Sequence, residues 1–196
     1  MSERIPGWTR GREAFELANV SYLLPNHATI VEVGSFLGSS SLLLAGARQL
    51  RGNGLVHCVD PFDASGDPYS APHYRNIAAE LSATLRQQFD NNIRGAGLAR
   101  YVTVHEGTAE LVALQWDRPI DFLFLDGDHS PEGARLAFRC WTPFLNRGGI
   151  IALHNSAKRH YARGHDGFRR LVLGELHEPE FHGVYCVGTT TFATKQ

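Results

Sequence analysis

Net charge is what this chain most lacks. Its 19 lysine and arginine residues face 20 aspartates and glutamates, for a formal net charge of -1. That balance supplies no basic field for a nucleic acid or an anionic membrane surface, so neither is expected as a partner. Cysteine is scarce as well: Cys58, Cys140 and Cys186 are far apart, odd in number and set in apolar runs. Such a set fits reduced thiols in a cytoplasmic protein and speaks against a disulfide framework or a cysteine zinc site. The opening "MSERIPGWTRGRE" has no apolar core of the kind a secretory leader needs, and no apolar run approaches a membrane span. Repeats, low-complexity tracts and interdomain linkers are also missing. What is there, 196 residues with 43% hydrophobic content, suffices for one sizeable core, and a single domain over 1–196 is expected.

Apolar spacing predicts a helix in "TRGREAFELANVSYLLP", stopped by Pro25, which makes residues 1–27 an N-terminal helical segment. "ATIVEVGS" reads as a strand, "SSSLLLAGARQL" as a helix opened by serines, and "LVHCVDPF" as a second strand ended by Pro61. "FDASGDPYSAP" is a loop, and "HYRNIAAELSATLRQQFDNNIRGAG" one long helix with glycine at its end. Three further strands, "YVTVHEG", "PIDFLFLDG" and "GGIIALHN", are separated by helices "TAELVALQ" and "PEGARLAFRCWTPFL". Residues 156–196 add a helix in "HDGFRRLVLGEL" and a hairpin of "FHGVYCVG" with "TTTFATK".

Five strands alternating with helices imply right-handed crossovers and an α/β fold with a parallel sheet covered on both faces. Strands of nearly continuous Val, Ile, Leu and Phe agree with burial on both sides. Ligands of such sheets bind outside the carboxyl ends of the strands. The polar residues that end strands are Glu32, Gly34, Asp60, Glu106, Asp126, Asp128, His129, His154 and Asn155.

The first strand-to-helix turn, "VEVGSFLGSSS", places Gly34 and Gly38 where a ligand can approach the backbone. Its spacing is G-x-x-x-G, with Phe36 where a nicotinamide fold would carry the second glycine of G-x-G-x-x-G. Glu32, two residues before Gly34, would repel a pyrophosphate but suits a ligand with an ammonium group and no phosphate, such as S-adenosylmethionine. Asp60, ending the second strand, suits both hydroxyls of a ribose. The alternative is that the two acids only cap turns or pair with local cations.

These stretches, with "VDPF", "EGTAEL", "FLFLDGDHSPEGARLAF" and "PFLNRGGIIALHN", resemble the motifs of class I S-adenosylmethionine-dependent methyltransferases. The resemblance is to the small-molecule O-methyltransferase branch that includes macrolide-sugar and cephalosporin-pathway enzymes, and it covers roughly residues 28 to 175. It implies a Rossmann-like three-layer sandwich with a mostly parallel seven-stranded sheet and an antiparallel last strand, its cofactor-binding core spanning 28–155. It further implies that Glu32, Gly34 and Gly38 hold the methionine portion, and Ser35 and Ser39 of the same turn are cofactor-binding candidates. Asp60 would hold the ribose, and Thr108 and Ala109 would lie near the adenine. The implied reaction is methylation of a hydroxyl on a small molecule or sugar. A cofactor-binding protein without catalysis and a nicotinamide-dependent oxidoreductase are the alternatives; a homo-oligomer is left open.

Methyl transfer to an alcohol needs alignment and the loss of a proton, which a base or a metal assists. Asp126 and His129 form D-x-x-H just after the fourth strand. The resemblance implies Asp126 as a divalent-cation ligand, near the cofactor as well, and His129 as general base. The family's other metal ligands are two adjacent acids ending the fifth strand; here His154 and Asn155 stand in their places. Losing two carboxylates disfavours magnesium, and imidazole tilts any retained site towards manganese, iron or zinc. Without a metal, His129 is the base alone, oriented by Asp126 or Asp128. "PFDASGDPYSAPHY" is long enough to be a lid, offering Tyr69, His73 and Tyr74 to an acceptor. Lys158, Arg159, His160, Arg163 and His165 read as a solvated loop or as contacts to an anionic acceptor.

Overall fold

A computed structural model describes residues 5–196. Its elements in chain order are α1 (Gly11–Leu23), β1 (Thr29–Val33), α2 (Ser39–Arg51), β2 (Leu55–Asp60), α3 (Ala71–Glu80) and α4 (Leu85–Gly95). They continue with β3 (Val102–Glu106), α5 (Ala109–Ala113), β4 (Ile120–Leu125), α6 (Pro131–Trp141), β5 (Leu145–Leu153), α7 (Gly167–Gly174), β6 (Phe181–Val187) and β7 (Thr190–Lys195). The strands form one sheet in the order β3-β2-β1-β4-β5-β7-β6. The first five run parallel, and β7 returns antiparallel between β5 and β6. The α/β sandwich expected from the alternating runs is therefore present, with its seven strands, of which β7 alone is reversed.

Alternation along the strands divides the core into two layers. Ile30, Val56, Phe122 and Phe124 meet Leu17, Leu44 and Phe89 on one face. Val31, Val59, Leu123 and Leu125 meet Phe138, Trp141, Phe168 and Leu171 on the other. The strand order reverses between β1 and β4, which both lie at the centre, and their carboxyl ends open the crevice that sheets of this kind use for ligands.

The single long helix expected over "HYRNIAAELSATLRQQFDNNIRGAG" is two helices. The chain turns extended at Leu81, and Thr84 restarts it as the N-cap of α4 with a capping box to Gln87. Two orphan donors are satisfied there, which favours a new start over continuation. The helix expected through Leu145 likewise stops at Trp141, since Pro143 sits in a short 3-10 turn, and β5 begins earlier than Gly148 with an irregular register against β4.

On the face of the sheet that Trp116 covers, His57 of β2 is buried, with its Nδ1 3.0 Å from Nε2 of His105. Burial, with the charges of His105 and Arg118, pushes its pKa down to about 4. An unfolded imidazole titrates near 6.5, so between about 6.5 and 4 the unfolded chain binds the additional proton. Stability is expected to fall as pH drops through that window. In urea unfolding at pH 7 and pH 5, His57→Gln should narrow the difference between the two midpoints.

Candidate active site

The carboxyl ends of β1, β2, β4 and β5 surround a cavity of about 1150 Å³, large enough for a nucleoside cofactor and a second small molecule together. Gly34, Ser35, Ser39, Asp60, Thr108, Ala109, Asp126, Asp128, His129, His154 and Asn155 all line it. Gly34 stands where β1 and β4 all but touch: a Cβ there would lie 2.4 Å from the carbonyl oxygen of Asp126, and its φ is +94°. No side chain fits that position.

Two residues assigned to the cofactor by sequence lie elsewhere. Glu32 is fully buried beneath the turn and does not line the cavity. Its Oε2 accepts from the hydroxyl of Ser35 at 2.8 Å and from that of Ser41. Burial pushes its carboxyl up against the pull of Ser40, Ser41 and Ser35, and Oε1 has no partner among the described residues. Glu32 thus shapes the turn from below. Gly38 is the N-cap of α2, packed towards Phe89 behind the cavity.

Asp60 ties the same turn to β2. Its Oδ2 accepts the N–H groups of Ser35 and Phe36, each at 2.9 Å, and Oδ1 that of Phe62 at 2.7 Å. Burial raises its pKa, and those three donors oppose the rise. Thr108 caps α5 and sets Ala109 at the head of that helix.

The stretch after β4 builds the other half. Asp126 Oδ1 lies 3.3 Å from Nε2 of His129 and 2.5 Å from Nδ1 of His154. The Nε2 of His154 lies 3.0 Å from Oε1 of Glu13, so the chain Glu13–His154–Asp126–His129 runs from α1 to the start of α6. Burial would lower His154, but Asp126 and Glu13 overcome it and hold its pKa at about 10. Burial would raise Asp126, but His154 and His129 keep it down at about 2. His129 is pushed down by burial, against the pull of Asp126 and with the charges of His154 and His165. With Nε2–H donated to Asp126, its remaining lone pair is on Nδ1, which has no partner among the described residues.

Asp128 does not orient His129. It accepts the N–H of Ser130 at 2.8 Å, bracing the turn from which Ser130 caps α6. Asn155 stays outside the cluster of Asp126, His129 and His154, and its Oδ1 accepts from Arg159 at 2.8 Å.

Several residues in or behind the cavity wall carried no signal in the sequence. Trp8 packs edge-on to Tyr74 at 5.3 Å and tilted to Phe36 at 6.0 Å, which gives the cavity an aromatic wall. Glu13 reads as an ordinary polar position on a helix, yet is 5% exposed and reaches His154. The loop residue Asp67 is buried and lies 3.1 Å from Nδ1 of His165, whose ring stacks on His129 at 4.5 Å. The expected lid is thus pinned to the segment after β5. Of that segment's basic residues, Arg159, His160 and His165 reach the cavity, while Lys158 and Arg163 do not.

This sheet order, with its crevice between β1 and β4, is that of class I methyltransferases. Among similar solved structures is an O-methyltransferase from Bacillus cereus in complex with SAH, 18% identical, with a TM-score of 0.66 over 100% of this chain and 86% of that one. TomG, an O-methyltransferase from Streptomyces achromogenes solved with SAM, is 20% identical, with a TM-score of 0.65 over 95% of this chain and 82% of that one. A cofactor-bound protein from MTB, Rv0187, is 17% identical, with a TM-score of 0.70 over 99% and 85%. A family model described as a methyltransferase domain matches residues 31–156, and the chain belongs to that family. No helix among the described residues is long and apolar enough to cross a membrane.

Proposed function

We propose that the chain, working as one domain in the cytoplasm, transfers the methyl group of S-adenosylmethionine to a hydroxyl of a small molecule. The observation that carries this reading is the Asp126–His129 pair. Its imidazole has one nitrogen held by a carboxylate and the other buried without a partner among the described residues, in the lining of a cavity sized for two ligands. In the transfer, the acceptor oxygen bonds to the methyl carbon as the carbon–sulfur bond breaks. The sulfonium becomes a neutral thioether, and the hydroxyl proton passes to Nδ1 of His129. Asp126 stabilises the imidazolium so formed. The rest is alignment, which the pinned lid and the aromatic wall provide by holding the acceptor against the turn at Gly34.

For the cofactor, Gly34, Ser35 and Ser39 face the methionine portion, Asp60 the ribose, and Thr108 with Ala109 the adenine. An ionised carboxylate offers about four acceptor sites, and three on Asp60 are already taken by backbone N–H groups, so it receives one ribose hydroxyl, not two. Titration calorimetry should show binding of S-adenosylmethionine and its demethylated product and none of NAD. Tight binding of NAD alone would reject the reading. Asp60→Ala should weaken S-adenosylmethionine by about 1.5–3 kcal/mol, the order of a hydrogen bond to a charged group. Unchanged affinity would place the ribose contact on another residue.

The residues at the expected metal position do not fit a hard divalent cation. Such an ion wants several oxygen ligands. Here Asp126 is the one carboxylate, the Asn155 oxygen is held by Arg159, and both nitrogens of His154 face carboxylates. No step of the reaction is therefore routed through a metal.

A further inference from the structure

The misfit has a positive content. An ionised carboxylate oxygen can only accept, so a ring with one carboxylate on each nitrogen carries a proton on both. His154 is such a ring, with Asp126 at 2.5 Å on Nδ1 and Glu13 at 3.0 Å on Nε2, itself 2% exposed. With each ring nitrogen directed at a carboxylate, His154 as placed turns no free nitrogen towards an ion shared with Asp126 and His129, the other two donors of that set. Nor can His154 Nδ1 and Asp126 Oδ1 share one metal as placed, since ligands at about 2.1 Å from an ion at right angles sit roughly 3 Å apart.

The far end of the clamp is built as firmly. Glu13 accepts the N–H of Thr189 at 2.7 Å and the hydroxyls of Thr189 and Thr190 at 3.0 and 2.7 Å. A Cβ on Gly188 would lie 2.4 Å from Glu13 Oε2, so the β6–β7 turn is cut to admit this carboxylate. Burial opposes ionisation of Glu13, but His154, Thr189 and Thr190 outweigh it and lower its pKa. The groups facing His154 are thus the carboxylates of Glu13 and Asp126 and, across Asp126, the ring of His129.

We propose that the imidazolium of His154, clamped between Asp126 and Glu13, stands in for the divalent cation that the sequence resemblance implied here, and that this site takes no metal. The fixed charge keeps Asp126 ionised and pointed at His129, and Glu13 is a positioning residue that acts through His154. The donor set carries the inference; its catalytic consequence rests on the methyl transfer proposed above.

The test uses the full chain. Elemental analysis of the purified protein should find no stoichiometric manganese, iron or zinc, and calorimetry with MgCl2, MnCl2 and ZnCl2 should show no specific site. Nitrogen-15 NMR at pH 8, above the ordinary imidazole pKa of about 6.5, should show both ring nitrogens of His154 protonated, assigned by loss of the signals in His154→Asn. Glu13→Gln should abolish that double protonation, whereas Glu16→Gln, on the same helix but with its carboxylate on Tyr185, should leave it intact. A merely structural role for Glu13 would lower stability without changing the protonation of the ring. A stoichiometric ion bound at Asp126, His129 and His154, or a singly protonated His154 at pH 8 in the unmodified chain, overturns the proposal. Calorimetry with S-adenosylmethionine is read separately, so failure of the cofactor assignment shows as lost cofactor binding beside an intact imidazolium.

Discussion

His129→Ala is expected to cut methyl transfer by about 10²–10⁴-fold, the usual contribution of a general base, while affinity for S-adenosylmethionine stays nearly unchanged. His129 is packed between the ring of His165 and that of Phe168, with centroids at 4.5 and 5.0 Å, so alanine also leaves a hole. His129→Phe separates the two effects, because it restores a ring to the stack without a basic nitrogen. Equal losses in both variants, followed by transfer of a labelled methyl group, identify the lost base as the cause. Recovery of activity in His129→Phe would assign the residue to packing. The same reasoning sets the pH profile. Burial holds His129 below its ordinary value, so the rate should fall only as pH drops into the acid range, where Nδ1 is protonated and no longer accepts.

The second large effect is on stability. Glu13→Ala should cost about 3–5 kcal/mol in denaturant unfolding, the magnitude of removing one partner from a buried ion pair. The loss has three sources: His154 keeps a half-compensated charge, and Thr189 and Thr190 lose their acceptor. A change within about 0.5 kcal/mol, ordinary for a surface substitution, would mean that water serves these groups as well as the carboxylate does.

Much of this was legible because two periodicities are strong in the chain. "TIVEV", "LVHCVD" and "IDFLFL" are too apolar for anything but doubly covered strands, and that burial places every residue that ends one of them at the crevice. Asp60, Asp126 and His129 follow directly. Glu32 misled, because an acid at a strand end looks the same in sequence whether it faces the ligand or is turned beneath the loop. The strand parity held the answer: Glu32 alternates with Val31 and Val33, on the layer of Ile30, under the serines of α2. The break between α3 and α4 was written in Thr84 and Gln87 as a capping box inside a run of good helix formers. Glu13 and Trp8 had no local signature. Their roles arise from the docking of α1 beside the β6–β7 turn, a long-range event no window of a dozen residues contains.

That docking ties function to the order in which the chain can be assembled. Glu13 finds Thr189 and Thr190 at separations of 176 and 177 residues, a closure whose entropic cost is met only after the sheet between them exists. The turn at Gly34 and the acid at Asp60 belong to β1 and β2, whose mutual contacts are far more local. Refolding in that order would let the molecule bind the nucleoside before His154 has its second carboxylate. Cofactor binding and turnover should return as two separate phases after dilution from denaturant, with turnover the later one.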